Sequence, residues 1–189
     1  VGFSDITAMH SLLSLHGVPS LHANMCKDLA LLPDDDIALV AEKELLMATG
    51  YPAPLSFTSH LLPLSYHPAP HNARTPYTIH HTSHSPLNRL GDATGKLIGG
   101  NLSVLYGLQG TPYSLNKIIE QCVEAPILFI EDISENHYHI DRMLQNLRLS
   151  GVFGKISGLV VGQFTDCADD VSMGCSLLES IRQIAEPYS

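Results

Sequence analysis

The stretch that decides the fold class reads Pro126-Ile127-Leu128-Phe129-Ile130-Glu131-Asp132. Its compact apolar run is typical of a strand buried on both faces of a parallel sheet, although periodicity alone leaves a buried helix open. A second run of this kind, Ile156-Ser157-Gly158-Leu159-Val160-Val161-Gly162, follows a helical pattern. Because apolar runs alternate with helical patterns, the sequence predicts an α/β fold.

Helical patterns flank both predicted strands. Residues 138–150 carry apolar side chains on one face, and residues 173–185 form a last amphipathic pattern. Upstream of the deciding stretch, the predicted order is a strand, a helix and a turn, at residues 96–102, 102–107 and 110–112. The C-terminal half of the chain therefore reads as a succession of strand-and-helix units.

The N-terminal end predicts a strand end, a turn and a helix. Val1-Gly2-Phe3 is apolar, and a helical stripe follows the turn at Ser4-Asp5. The stripe consists of Ile6, Met9, Leu12, Leu13 and Leu15. Residues 17–19 end this helix, residues 20–25 suggest a short strand and loop, and residues 33–49 suggest a second helix.

Composition excludes several classes of partner. The chain has 189 residues with 10 basic and 19 acidic side chains, a net charge of −9. This balance argues against a nucleic-acid backbone or an anionic membrane surface as partner. No apolar run approaches the roughly 20 residues of a membrane span. The four cysteines show no CxxC spacing, which favours reduced thiols and a cytoplasmic location.

Ser4 is the first candidate for chemistry. A serine on a sharp turn between a strand and a helix is held exposed, and the amide that follows it can help to form an oxyanion hole. The usual G-x-S-x-G pattern is incomplete, because its last glycine is Ile6 here. The alternative is that Ser4 only caps the helix N-terminus.

Two further candidates lie in the C-terminal half. Glu131 and Asp132 directly follow an apolar run, where α/β proteins gather catalytic groups, so Glu131 could orient a histidine; the alternative is a solvated acidic loop. Paired glycines at Gly99-Gly100 allow a close backbone approach, or mark a tight turn before Asn101.

Histidines and prolines concentrate between residues 51 and 94, where seven Pro and six His occur. This composition predicts loop or linker and marks the best domain boundary. His80, His81 and His84 could suggest a metal site, but their spacing is not the helical H-E-x-x-H pattern. Solvated loop histidines are the simpler interpretation, and the sequence implies neither a metal nor an organic cofactor.

Six stretches, in this order, resemble the LD-carboxypeptidase family of serine peptidases, which includes the microcin-C immunity peptidases. They cover most of the chain except its His/Pro-rich segment. The stretches are GFSDITA (2–8), GKLIGGNLS (95–103), GTP (110–112), ILFIEDISE (127–135), IDRML (140–144) and GLVVGQF (158–164).

The resemblance implies a Ser-His-Glu triad. Ser4 would be the nucleophile, and the Asp5 backbone amide would belong to the oxyanion hole. Glu131 would be the triad acid, preferred to Glu135 because of its place at the strand end. Gly100 and Asn101 would support the site. His22 falls where the family often has a His-Gly-Pro turn, but Ala23 and Asn24 replace the last two residues, so a structural role is expected.

The family's catalytic histidine is expected to lie outside this chain. It follows the strand after the last helix, in a Gly-His context, whereas none of the 11 histidines here follows a glycine and none lies beyond His139. The Gly-rich turn that precedes the serine in the family is also missing. We therefore expect a chain truncated at both ends, with negligible peptidase activity by itself.

The resemblance also implies fold and function. Residues 1–75 would be the C-terminal part of a Rossmann-like or flavodoxin-like nucleophile domain. Residues 76–94 would be a linker, and residues 95–189 a smaller, incomplete α/β domain. The expected parent protein is a cytoplasmic, homodimeric serine carboxypeptidase of peptidoglycan recycling that releases terminal D-alanine from murein tetrapeptides. The alternatives are cleavage of a peptidyl-nucleotide amide, as in microcin immunity, or a non-catalytic binding module.

Overall fold

The computed structural model describes residues 1–47 and 93–188. Three parallel strands form a sheet in the order β1 (Leu97–Asn101), β2 (Ile127–Ile133) and β3 (Gly158–Thr165). The α-helices of the described residues are α1 (Ile6–Leu15), α2 (Cys26–Leu31), α3 (Ile37–Leu46), α4 (Leu102–Gly107), α5 (Leu115–Ile119), α6 (His137–Leu149) and α7 (Leu177–Ala185). Short 3-10 helices occupy Phe153–Lys155, Val171–Met173 and Glu186–Tyr188. The predicted α/β fold with a parallel sheet is confirmed.

The deciding stretch forms the central strand. Along β2, Leu128, Ile130 and Asp132 are buried, and the residues between them are partly exposed. This alternation follows from the two-residue repeat of a strand, which sends successive side chains to opposite faces. The strand runs beyond its predicted end, so both acidic residues belong to its carboxyl end and not to a solvated loop.

One hydrophobic core lies between this face of the sheet and the helices. The predicted apolar face of α6 is confirmed, because Ile140, Met143, Leu144 and Leu147 are all buried. The other members of the core are Ile98, Leu102, Leu105, Leu115, Ile118, Leu128, Ile130, Val152, Phe153, Leu177, Ile181 and Ile184. α4, α6 and α7 pack successively and supply much of this cluster.

The second apolar run does not form the fully buried strand that the sequence predicts. β3 is an outer strand of the described sheet, and Val160 and Val161 are 40 % and 38 % exposed. The prediction is wrong because β2 covers β3 on one side only within the described residues.

α1 forms where predicted, but it buries a different face. Thr7, His10 and Ser11 are buried, whereas Met9 of the predicted apolar stripe is 52 % exposed. The polar side chains turn inward because two of them bind neighbouring backbone groups at the candidate site. Apolar periodicity therefore located this helix correctly and gave its orientation wrongly.

Other boundaries differ modestly. α2 and α5 were not predicted, α3 starts at Ile37 instead of residue 33, and α7 starts at Leu177 instead of residue 173. The predicted strand in residues 20–25 is reduced to an isolated parallel bridge between Gly2 and His22. The predicted linker lies largely outside the described residues, so the domain boundaries and the Rossmann-like assignment stay predictions.

The paired glycines allow two close approaches, as the sequence suggests. A Cβ on Gly99 would collide with the backbone of Phe129. A Cβ on Gly100 would lie 2.5 Å from Thr7 Oγ1, and its φ of +143° favours glycine. Gly99 therefore permits the close approach of Phe129 on β2, and Gly100 lets α1 pack directly on β1, which fixes the helix that follows Ser4.

We expect Gly100→Ala to lower the free energy of unfolding by about 3 kcal/mol, because the methyl group overpacks Thr7 and the backbone becomes strained. Chemical denaturation measures this loss. Gly107→Ala is the matched control, since a methyl group there would have no neighbour within 4 Å, and it should be neutral or slightly stabilising. Equal stability of the two variants would contradict the close approach.

Candidate active site

Ser4 occupies a strained turn between the bridge at Gly2 and helix α1. Its φ is +56°, one of three positive values at non-glycine residues in the described chain. Non-glycine residues rarely adopt this conformation, and such strain concentrates at functional sites. The helix begins at Ile6 with Asp5 as its N-cap, so the alternative that Ser4 caps the helix is wrong.

The hydroxyl of Ser4 and the amide of Asp5 are both available. Ser4 is partly exposed, and within the described residues its side chain makes no hydrogen bond. The Asp5 amide likewise donates to no partner there, whereas the amides of Ile6 and Thr7 donate to the carbonyls of Phe3 and Ser4. An unused amide directly after an exposed serine is the arrangement that an oxyanion hole requires.

Glu131 lies in the carboxyl half of β2, on the face opposite the core. Its side chain is 23 % exposed, and its Oε1 atom is buried without a hydrogen-bond partner in the described residues. The strand register shifts beside it, between Ile130 and Asp132, and Gly162 of β3 packs against it. A register shift marks a β-bulge or a similar irregularity of the strand, and β-bulges re-aim side chains next to active sites.

Asn101 and Asp132 form a buried network behind the site. Asn101 Oδ1 accepts from the amide of Val104 and so caps α4, while its Nδ2 donates to Asp132 Oδ1 at 2.9 Å. Asp132 also accepts from the amides of Ser103 and Ile133. The side chain of Asn101 is thus committed to structure, and its supporting role is to fix the end of β1.

Asp132 is a buried residue, with only 2 % of its surface exposed. Burial raises the pKa of this carboxyl above its ordinary value, although the surrounding donors favour the charged form. Its oxygens are occupied by β1, α4 and its own strand, so Asp132 is unsuited to orient a histidine. Of the adjacent pair, Glu131 is the residue with an oxygen, Oε1, that accepts no hydrogen bond from the described residues; His22 Nε2 lies 3.5 Å from it.

Two side chains of α1, those of Thr7 and His10, make hydrogen bonds that hold the Ser4 turn. The Asn101 amide donates to Thr7 Oγ1 at 3.0 Å. One turn further along α1, His10 Nε2–H donates to the Gly2 carbonyl at 3.0 Å. The Ser4 turn is therefore held at both sides, by the end of β1 and by its own helix.

His10 is a buried histidine in surroundings that disfavour its charged form. Because Nε2 donates to a carbonyl, Nδ1 carries the lone pair, and this atom is buried without a partner in the described residues. Burial lowers the pKa of His10 below its ordinary value of 6.5, an effect partly opposed by its bond to Gly2. Protonation would place a charge in a buried position beside the Ser4 turn.

This shift predicts a pH dependence of stability. Below about pH 6.5 the unfolded chain binds a proton at His10 that the folded chain resists, so the free energy of unfolding falls as the pH is lowered. Chemical denaturation from pH 7.5 to 5 should show a smaller fall in His10→Gln, which keeps a donor for Gly2. His16→Gln, at the exposed end of α1, should retain the wild-type dependence; a parallel fall in all three proteins contradicts this role.

Two further described histidines, His137 and His139, make contacts at the start of α6. Both residues lie in the first turn of α6, and His139 pairs with Glu135 at 3.1 Å, so Glu135 is already engaged. His137 Nε2 lies 2.8 Å from Ser180 Oγ. Its Nδ1 accepts from the Asp170 amide, so Nε2 donates and cannot take a proton from Ser180.

The described chain lacks two further kinds of functional feature. Residues 1–47 and 93–188 contain no cluster of three or more His, Cys, Asp or Glu side chains suited to a metal. His80, His81 and His84 lie outside those residues. Among the described helices, none has the length and apolar character needed to cross a membrane.

The sequence did not reveal Thr7 and His10 as parts of the site. Both occupy the polar side of an apparently amphipathic helix, where periodicity predicts solvent exposure. Their partners, Asn101 and Gly2, are backbone groups, which carry no residue-specific signal. The buried face of α1 differs from its apolar stripe, and this difference is visible only once α1 is placed against β1.

The fold and the geometry of the candidate site together define a class of protein. The chain is an α/β protein with a strained serine turn at a helix N-terminus, fixed to the carboxyl edge of a parallel sheet that carries a glutamate. Residues 94–189 match the LD-carboxypeptidase C-terminal domain. The chain belongs to the LD-carboxypeptidase family.

Known proteins of this family provide three comparisons. The probable murein peptide carboxypeptidase of Bacillus subtilis is 31 % identical over 191 residues, 99 % of this chain and 49 % of the relative. The muramoyltetrapeptide carboxypeptidase of Oxalobacter formigenes has a similar structure, with a TM-score of 0.67 and 24 % identity over 98 % of this chain and 53 % of that protein. A structure of MccF with glutamyl sulfamoyl guanosine is also similar, with a TM-score of 0.68 and 19 % identity over 100 % of this chain and 55 % of that protein. The chain thus spans about half the length of these relatives.

Proposed function

We propose that the complete protein containing these 189 residues is a serine carboxypeptidase that releases terminal D-alanine from murein tetrapeptides. The observation that carries this proposal is the Ser4 turn, strained at φ +56°, in which neither the hydroxyl nor the amide that follows it makes a hydrogen bond within residues 1–47 and 93–188. The name of the Bacillus subtilis relative supports the murein peptide as substrate class.

In the proposed mechanism, Ser4 Oγ attacks the carbonyl carbon of the bond to D-alanine. A histidine takes the serine proton and then gives it to the leaving amine, so that D-alanine departs and an acyl-enzyme remains. The Asp5 amide stabilises the oxyanion, and Glu131 accepts a hydrogen bond from the histidine and stabilises its charged form. Water, activated by the same histidine, hydrolyses the ester and restores Ser4.

The proposed histidine is not one of the 11 in this chain. Glu131 Oε1 accepts no hydrogen bond from the described residues, although His22 Nε2 lies 3.5 Å away, and this supports Glu131 as the acceptor for such a histidine. A serine hydroxyl without such a base is a poor nucleophile. The 189-residue chain tested by itself is therefore expected to be inactive.

A substrate comparison tests the proposal. The complete protein is incubated in parallel with a murein tetrapeptide and with a peptidyl-nucleotide amide of the microcin type, and products are identified by mass spectrometry. We expect D-alanine release from the tetrapeptide at a kcat/KM at least about 100-fold above that for the nucleotide conjugate. Preference for the conjugate favours the immunity function, and turnover of neither supports a non-catalytic binding module.

The proposal also includes a cytoplasmic homodimer. The four cysteines, all free thiols in the structure, are compatible with a reducing compartment. The dimer is an expectation from the family, which light scattering of the complete protein tests directly.

A further inference from the structure

His22 joins the two halves of the proposed site. Its backbone forms the parallel bridge to Gly2, two residues before Ser4. Its side chain reaches the other half, where Nε2 lies 3.5 Å from Glu131 Oε1. Through this residue, the segment that carries the serine and the strand that carries the glutamate are held at a fixed separation.

Several contacts fix the ring of His22 in this position. It packs edge-on against Phe129, with ring centroids 5.1 Å apart, and Phe129 lies two residues before Glu131 on the same face of β2. The ring of His10 lies 5.7 Å from that of His22, between centroids. The side chain is only 20 % exposed. The imidazole therefore contacts two rings, and its Nε2 lies 3.5 Å from a carboxylate oxygen.

The backbone around His22 is fixed as well. The Gly2 amide donates to the Leu21 carbonyl, and the Ala23 amide donates to the Gly2 carbonyl, which also accepts from His10. Two donors on one carbonyl leave the segment before Ser4 little freedom to move. A shift of His22 would consequently move both Gly2 and Glu131.

We propose that His22 is a positioning residue, which holds Glu131 through Nε2 and sets its separation from Ser4. This inference rests on the proposed function, because it assigns a second partner to the triad acid. His22 is not proposed as the base: within the described residues, Ser4 Oγ has no hydrogen bond to it. The expected effect is on catalysis, since a displacement of about 1 Å in a reacting group can cost 100-fold in rate.

The experiment compares four variants of the complete protein on a murein tetrapeptide. His22→Ala and His22→Phe are expected to lower kcat about 10-fold to 100-fold, with KM within about twofold. His22→Gln, which restores a donor in place of Nε2, should recover activity to within about fivefold of the wild type. His16→Ala, an exposed histidine of the same segment, is the matched control and should be unchanged.

A second readout does not depend on the substrate. A fluorophosphonate phosphonylates an activated serine, with fluoride as leaving group and the serine proton passing to the base. Its labelling rate should fall in His22→Ala and His22→Phe by the same factor as kcat, and recover in His22→Gln. Thermal unfolding detects whether His22→Ala impairs folding. Even where it does, the difference in labelling rate between His22→Phe and His22→Gln tests the role of Nε2.

The outcomes separate the two claims. Wild-type rates in His22→Phe mean that ring packing alone matters and overturn the role of Nε2, as do wild-type rates in all variants. A loss of three orders of magnitude in His22→Gln also overturns it, because that loss marks proton transfer by the ring. A wild-type protein that neither hydrolyses the peptide nor takes the label contradicts the proposed function itself, and the inference fails with it.

Discussion

Replacing Ser4 by alanine is expected to lower kcat of the complete protein by at least about three orders of magnitude. The hydroxyl is the proposed nucleophile, and no other group in the described turn can form the acyl-enzyme. Binding should persist, because the substitution removes one oxygen atom and leaves the Asp5 amide in place. Product analysis of the murein tetrapeptide reaction measures the loss, and calorimetry measures the retained binding.

The strained backbone supplies a second readout for the same position. Alanine keeps the cost of a φ of +56°, whereas glycine adopts this conformation freely. Ser4→Gly should therefore be inactive, yet exceed Ser4→Ala in free energy of unfolding by about 1 kcal/mol. Ser20→Ala, an exposed serine nearby in the sequence, serves as the control with wild-type activity. An active Ser4→Ala variant excludes the nucleophile assignment.

The second large effect is expected from Glu131→Gln, which should lower kcat about 10⁴-fold. The neutral amide keeps the size of the side chain but cannot stabilise the imidazolium that forms as the serine loses its proton. The fold should be little changed, because the amide has the size of the carboxylate and keeps an oxygen within reach of His22 Nε2, which lies 3.5 Å from Glu131 Oε1. Steady-state kinetics and chemical denaturation separate the two effects.

Glu135→Gln is the matched control for Glu131→Gln. Glu131 lies in the deciding stretch and Glu135 lies shortly after it, where it pairs with His139 at the start of α6. We expect its removal to change kcat by no more than a few-fold. If Glu135→Gln abolishes turnover while Glu131→Gln retains it, the assignment of the triad acid is reversed.

The parts of the fold that the sequence predicted share a physical property. In α6, the apolar residues that set the pattern are also the residues that enter the core, so periodicity carries both position and orientation. In β2, the continuous apolar run gives the position of the strand, but only Leu128 and Ile130 of that run enter the core. α1 shows where this fails, since Thr7 and His10 are buried by hydrogen bonds to backbone groups. Such bonds have no periodic signature.

The site was predictable only in its local parts. The turn at Ser4 and the acidic end of β2 are each encoded by a few neighbouring residues. The contact between His22 and Glu131 joins residues far apart in the sequence, and nothing in either segment specifies it. β3 shows a related limit, because a run of apolar residues does not reveal whether a strand lies inside or at the edge of the described sheet.

The most direct test of the nucleophile assignment is the mass-spectrometric mapping of the fluorophosphonate adduct in the complete protein. We expect one adduct per chain, on the peptide that contains Ser4, and no adduct in Ser4→Ala. Ser180 is the internal comparison, because it contacts a histidine, His137, that donates to it instead of accepting its proton. An adduct on Ser180 or another serine, or none on Ser4, would contradict the role of Ser4 as nucleophile.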